Sequence, residues 1–194
     1  MESVDMRIVE EPKKPRAMNP RKFGMWLFLS TVVMVFASLT SAYIVRRAEG
    51  DWKDFSLPSL FTWTSVIIVL SNVTIQAAYY QARKGAAGVY KMLLSVTFLF
   101  GTLFLVGQFY AWKQLVAASI YLVGNPSESF VYVLSGLHGL HIVSALIYLA
   151  IVWASASRVI DGKFNHFQLE LCVTYWHFLG GLWLYLFVFL MLYR

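Results

Sequence analysis

The sequence predicts an all-α polytopic membrane protein, a bundle of five transmembrane helices. Three observations predict it. Of 194 residues, 59% are hydrophobic and only 13% are charged, about half the charged share of a soluble domain. The charges lie in short islands between long apolar runs. Each run is long enough to cross the hydrocarbon core as one helix, which takes roughly 20 residues.

Residues 1–22 read as a polar N-terminal arm. Glu2, Asp5, Glu10 and Glu11 mix with Arg7, Lys13, Lys14 and Arg16, and Pro12 and Pro15 interrupt it. This mixture before any apolar run is unlike a signal peptide. Residues 23–194 read as a single transmembrane domain. The first span covers 23–45 and stops at Arg46-Arg47. A polar loop with Glu49, Asp51, Lys53, Asp54 and Pro58 follows. The second span covers 60–80, before the basic turn Arg83-Lys84-Gly85. The third covers 90–118, with Lys113 near its exit and an interfacial turn up to Pro126. The fourth covers 130–154, and Arg158, Asp161, Gly162 and Lys163 form the next turn. The fifth covers 171–193. It carries Thr174, Tyr175, Trp176, His177 and Gly180-Gly181, so it has a packed side, because polar groups at membrane depth face protein or water rather than lipid. No internal repeat suggests a transporter of two related halves.

Lys and Arg set the orientation. With five spans, the N-terminus and the second-to-third and fourth-to-fifth turns share one side. They hold Arg7, Lys13, Lys14, Arg16, Arg21, Lys22, Arg83, Lys84, Lys91, Arg158 and Lys163. The other side holds Arg46, Arg47, Lys53, Lys113 and Arg194. The N-terminus is therefore expected in the cytoplasm and the C-terminus outside. The net charge of +6 is a topology signal and not a nucleic-acid footprint. One cysteine, Cys172, excludes an internal disulfide and a multi-Cys metal site. It reads as a small buried apolar residue.

The candidate chemistry is sparse. His138 and His141 lie three apart and share a helix face. Imidazoles so spaced can ligate a metal or haem, with His177 as a third ligand, or can hydrogen-bond between helices or to a lipid headgroup. His166, Glu170 and His177 fall on one stripe of the last helix. A carboxylate there, paired with a histidine, can hold a lipid amine, assist proton movement, or form a polar pair near the headgroups. Asn72 and Gln108 are amides inside spans that can bridge helices. No acid lies in the interior of a span, which argues against an autonomous pump. No phosphate loop or nucleophile–base constellation is present. The residues thus favour an accessory membrane subunit over an independent channel or transporter, or a membrane enzyme using the histidines.

Three stretches add a resemblance. His166-Phe167-Gln168-Leu169-Glu170 is followed after four residues by Tyr175-Trp176-His177-Phe178 and then Leu182-Trp183-Leu184. Gly136-Leu137-His138-Gly139-Leu140-His141 is the second stretch. Gly24-Met25-Trp26-Leu27-Phe28 with Ser41-Ala42-Tyr43 is the third, and Gln108 joins them. Over residues 20–194 the chain resembles subunit III of the haem-copper terminal oxidases, the cytochrome c oxidase type, in its short five-helix form. The resemblance implies a subunit with no haem or copper of its own, packed against the catalytic subunit I and supporting its proton uptake. Haem and copper are expected in partner subunits, and bound phospholipid within this one. Expected partners are oxidase subunits I and II, a larger respiratory supercomplex and phospholipids, with no nucleic acid. The expected place is the bacterial inner membrane. The expected reaction of the complex is O2 reduction to water coupled to proton translocation; a quinol oxidase is the alternative. Three acids of the family pattern are missing: Val32, Ala111 and Gly180 stand in their places. His138, His141, Arg158, His166, Glu170 and His177 remain as candidate lipid or structural polar contacts.

Overall fold

The computed structural model describes residues 19–50, 52, 55–158 and 166–193, without the side chains of Ala87, Ser157 and Arg158. Five helices make up the described fold: α1 (Pro20–Arg47), α2 (Leu60–Arg83), α3 (Ala87–Ala117), α4 (Pro126–Arg158) and α5 (His166–Tyr193). All five are long and apolar enough to cross a membrane.

Each helix runs beyond or close to its expected bounds, and the ends explain why. α1 begins at Pro20, so Arg21 and Lys22 belong to the helix rather than to the arm; residues 1–18 of that arm lie outside the described residues. The Arg21 backbone N–H donates to Asn19 Oδ1 at 3.1 Å, and proline occupies the first turn. Both features start helices, because the first N–H groups have no intrahelical acceptor. Gly85 takes φ +78° between α2 and α3, a left-handed conformation suited to glycine just past a helix end. Asn125 starts α4, its Oδ1 accepting from the Ser127 backbone at 3.0 Å. Glu128 in that first turn folds back and accepts from the Tyr121 backbone at 3.2 Å, securing the loop after α3.

The helices α2, α3, α4 and α5 close a ring in which each packs on its two neighbours, while α1 sits in the groove between α4 and α5. Basic side chains over aromatic rings mark both ends of the bundle. Arg83 lies 5.8 Å from the Tyr79 ring at one end. At the other, Lys113 lies 4.9 Å from Phe109 and Arg47 5.9 Å from Tyr193. Such residues keep an apolar body in the membrane and a charged tip in water.

Indole–hydroxyl pairs hold the ring together. Trp176 and Trp183 of α5 donate to Ser71 and Ser65 of α2 at 2.7 and 2.9 Å. Trp112 of α3 donates to Ser135 of α4 at 3.0 Å, and Trp153 of α4 to Ser95 of α3 at 3.0 Å. Lipid tails are as apolar as leucine, so close packing and such bonds replace the hydrophobic drive between helices; each contributes about 0.6 kcal/mol on average. Gly101 shows how tight the packing is. A Cβ there would lie 2.7 Å from the Trp176 ring and 2.9 Å from Leu146.

Candidate functional site

The densest polar cluster lies on the α2–α5 seam. His177 meets Asn72 Oδ1 through Nδ1 at 2.8 Å and Gln76 Oε1 through Nε2 at 2.9 Å. Asn72 and Gln76 are four residues apart, so one face of α2 presents both amides. The Asn72 Nδ2 donates to the Ile68 carbonyl at 2.8 Å, which leaves Oδ1 for the imidazole. An oxygen only accepts, so Nδ1 of His177 carries the proton. The neutral ring then has Nε2 as an acceptor and requires the Gln76 amide nitrogen facing it; oxygen and nitrogen of that amide are interchangeable by a flip. Gly180 makes this seam possible. A Cβ at that position would overlap the Asn72 amide. The Asn72 amide, reaching across from α2, fills the space that a side chain at 180 would take.

The fourth helix behaves differently. His141 Nδ1 donates to the Leu137 carbonyl of its own helix at 2.7 Å. Its backbone carbonyl accepts from Ser144 at 2.7 Å and from Tyr175 of α5 at 3.3 Å, and the Ser144 and Tyr175 hydroxyls lie 2.7 Å apart. His138 is fully buried beside the rings of Phe104 and Trp183, with centroids 5.8 and 5.1 Å away. His138 and His141 both lie beside Phe36 of α1, with ring centroids 6.4 and 5.7 Å away, but only His141 has a hydrogen-bonded ring nitrogen. Val32 is 3% exposed and Ala111 is 0% exposed, so both are sealed, apolar packing sites.

At the membrane edge, Glu170 accepts from Lys22 of α1 at 2.7 Å. A recess of about 450 Å³ beside it is lined by Tyr79, Arg83, His166, Phe167 and Glu170. The structure brings His166 and Glu170 to this recess and places His177 deeper along α5, bonded to α2. Arg158 ends α4, but its side chain lies outside the described ones, as do the turn residues Asp161, Gly162 and Lys163. Sequence reasoning missed Lys22, assigned to the arm, and Gln76, whose spacing from Asn72 was a usable signal. Among the described residues no three of His, Cys, Asp and Glu come together as a metal-holding group. Cys172 is buried.

A ring of four packed helices with a fifth laid against it, each long and apolar enough to cross a membrane, defines a polytopic membrane protein. The family profile described as Cytochrome c oxidase subunit III matches residues 51–194. The chain is similar to Cytochrome c oxidase subunit 3 of Corynebacterium diphtheriae, 28% identical over 191 residues, covering 91% of this chain and 91% of that one. It is similar to Cytochrome bo(3) ubiquinol oxidase subunit 3 of Pseudomonas aeruginosa, 31% identical over 171 residues, with 85% and 81% covered. Probable quinol oxidase subunit 3 of Staphylococcus saprophyticus is 26% identical over 176 residues, with 87% and 86% covered. The chain belongs to the cytochrome c oxidase subunit III family.

Proposed function

We propose that this chain is a non-catalytic third subunit of a respiratory haem-copper terminal oxidase. It packs against subunit I, steadies it, and binds phospholipid, while subunits I and II carry the haem and copper that reduce O2 to water and drive proton translocation. One observation supports this most. Two of the histidines that could ligate a redox metal have other tasks, and they do not converge on one point: both ring nitrogens of His177 face amides of α2, and Nδ1 of His141 is bonded to its own helix. His138 stands among aromatic rings. A scaffold needs polar groups directed at neighbouring helices; a redox centre needs them directed at one point. The recess at Arg83, His166 and Glu170 suits a phospholipid headgroup, with cationic and anionic groups on its rim. We place the chain in the bacterial inner membrane with its N-terminus in the cytoplasm, on the strength of the Lys and Arg distribution.

Affinity purification of the tagged full-length chain tests this. The expected result is copurification of subunits I and II with a haem spectrum and copper, and a haem-free chain when it is stripped from them. Haem or copper bound stoichiometrically to the isolated chain would overturn it. Relatives named for cytochrome c and for quinol oxidases both match. Assaying the purified complex with each donor distinguishes the two.

A further inference from the structure

Two side chains deep in the bundle remain outside the polar pairing. Gln108 of α3 is 1% exposed and His138 of α4 is 0% exposed. Every side-chain nitrogen and oxygen of both is buried without a hydrogen-bonding partner among the described residues. Buried polar groups are almost always paired, and hydrocarbon offers nothing to pair with.

The register between the helices brings the two together. Trp112 bonds to Ser135, Leu105 lies 3.9 Å from where a Cβ on Gly139 would stand, and Leu146 lies against Gly101. Position rises on one helix as it falls on the other, so α3 and α4 run antiparallel. Residues 101, 105 and 112 mark the face of α3 turned to α4. Gln108 stands one turn from both Trp112 and Phe104, on that same face. Its level on α4 is the turn between Ser135 and Gly139, which carries His138. Phe104 lies 5.8 Å from the His138 ring, which fixes the imidazole on the same seam.

The two glycines beside His138 leave room for a methyl group each. A Cβ at Gly136 or Gly139 would approach no nearer than 3.8 and 3.9 Å to Trp112 and Leu105. Gly101, by contrast, leaves no room for one, at 2.9 Å from Leu146 of α4. The two glycines flanking His138 therefore form the looser part of the seam. The rings of Phe36, Phe104 and Trp183 close the site around the imidazole, at 6.4, 5.8 and 5.1 Å.

We propose that Gln108 and His138 form a buried hydration site, in which one or two water molecules bridge the α3 amide to the α4 imidazole. The chemistry matches. The amide offers two N–H groups and an oxygen, and a neutral imidazole offers one donor and one acceptor. Water supplies both roles, and buried waters typically take about three such bonds from groups that protein leaves unmet. This pairs polar groups across the α3–α4 seam where the α2–α5 seam uses direct amide–imidazole bonds.

Two measurements on the full chain, in the assembly it purifies with, test the proposal. A structure that resolves ordered water is expected to show density between the Gln108 amide and the His138 ring, within about 2.7–3.2 Å of both. A direct bond between the two side chains, or an empty apolar gap, would overturn it. The variants Gln108→Met and His138→Phe are each expected to lower the thermal midpoint by about 2–4 °C. The double variant is expected to lose less than the two together, because it leaves no unmet group behind. Strictly additive losses would overturn the bridge even if neither single variant gave a structure.

Discussion

α1 and α5 are both 28 residues long and apolar around their circumference, yet they are packed in different ways. α1 buries Leu29, Val32, Phe36, Thr40 and Tyr43, a single stripe at three- and four-residue spacing. Much of the rest, including Trp26, Met34 and Val45, is exposed. α5 buries residues on several faces and sends Trp176 and Trp183 to α2, Tyr175 to α4, and Tyr185 to Thr40 of α1 at 3.1 Å. Both helices are apolar enough to cross a membrane, so that property alone does not separate them. The direction of their polar side chains does. Ser30, Thr31, Ser38 and Thr40 of α1 bond carbonyls of their own helix, whereas the α5 side chains just named reach other helices, and between apolar helices in lipid shape and polar pairing select a neighbour.

The largest expected effect would come from overfilling the packed side of that comparison. Gly101→Leu on α3 drives side-chain atoms into Trp176 and Leu146, and Trp176 is tied to Ser71. Overpacking of this kind costs about 1–3 kcal/mol or more. Thermal unfolding in detergent should show a large fall, with reduced membrane levels. Met34→Leu on the exposed face of α1 should stay within about 0.5 kcal/mol. Equal losses at the two sites would break the contrast.

The polar seam of α5 sharpens it next. Asn72→Ala removes the acceptor of the His177 Nδ1 proton, and since both residues are only half-buried the loss is expected at about 1 kcal/mol, the low end for an unmet polar group. Gly180→Ala pushes the same amide aside. Combined, the two changes should cost less than their sum, because truncating Asn72 vacates the space that the methyl group added at Gly180 needs. A thermal double-mutant cycle reads this coupling; additive losses would show that Gly180 does not accommodate Asn72. Trp183→Phe is milder. It deletes the N–H bond to Ser65 while retaining a ring against Phe61 and Phe104, so a loss of about 0.6 kcal/mol, with about 1.7 as the ceiling, is expected from the same unfolding measurement.

How far this arrangement is legible in the sequence follows from the same contrast. All five spans are visible, since length and hydropathy determine whether a helix can cross a bilayer. The helix ends run further than charge suggests. Lys22 and Arg83 look like loop residues, yet their long stems let them stay helical at the membrane edge. His177 and Asn72 each stand out as polar groups within a span. Their meeting across 105 residues does not, because polar spacing along one helix does not name the facing helix. Gln76, one turn from Asn72, is the signal that sequence reasoning passed over. The stripe of His166, Glu170 and His177 suggests one site. Packing divides it, with Glu170 turned to α1 and His177 to α2.

The smallest expected effect concerns the ion pair that ties α1 to α5, between Lys22 and Glu170. Both side chains are substantially exposed, 46% and 39%. Water and salt screen an exposed pair, and two long side chains lose freedom in making it. Glu170→Ala combined with His166→Ala should therefore leave helix content and any haem spectrum of the assembly unchanged. Its effect should appear only in how firmly lipid and neighbouring subunits are retained. Retention should fall at low ionic strength and converge with the parent protein at high salt, where the parent pair is itself screened. Phosphorus analysis and subunit stoichiometry after gel filtration at two salt concentrations read this difference. A loss that persists undiminished in high salt would mean that Glu170 secures α1 through something other than charge, and the division between a loosely laid α1 and a firmly bonded α5 would have to be redrawn.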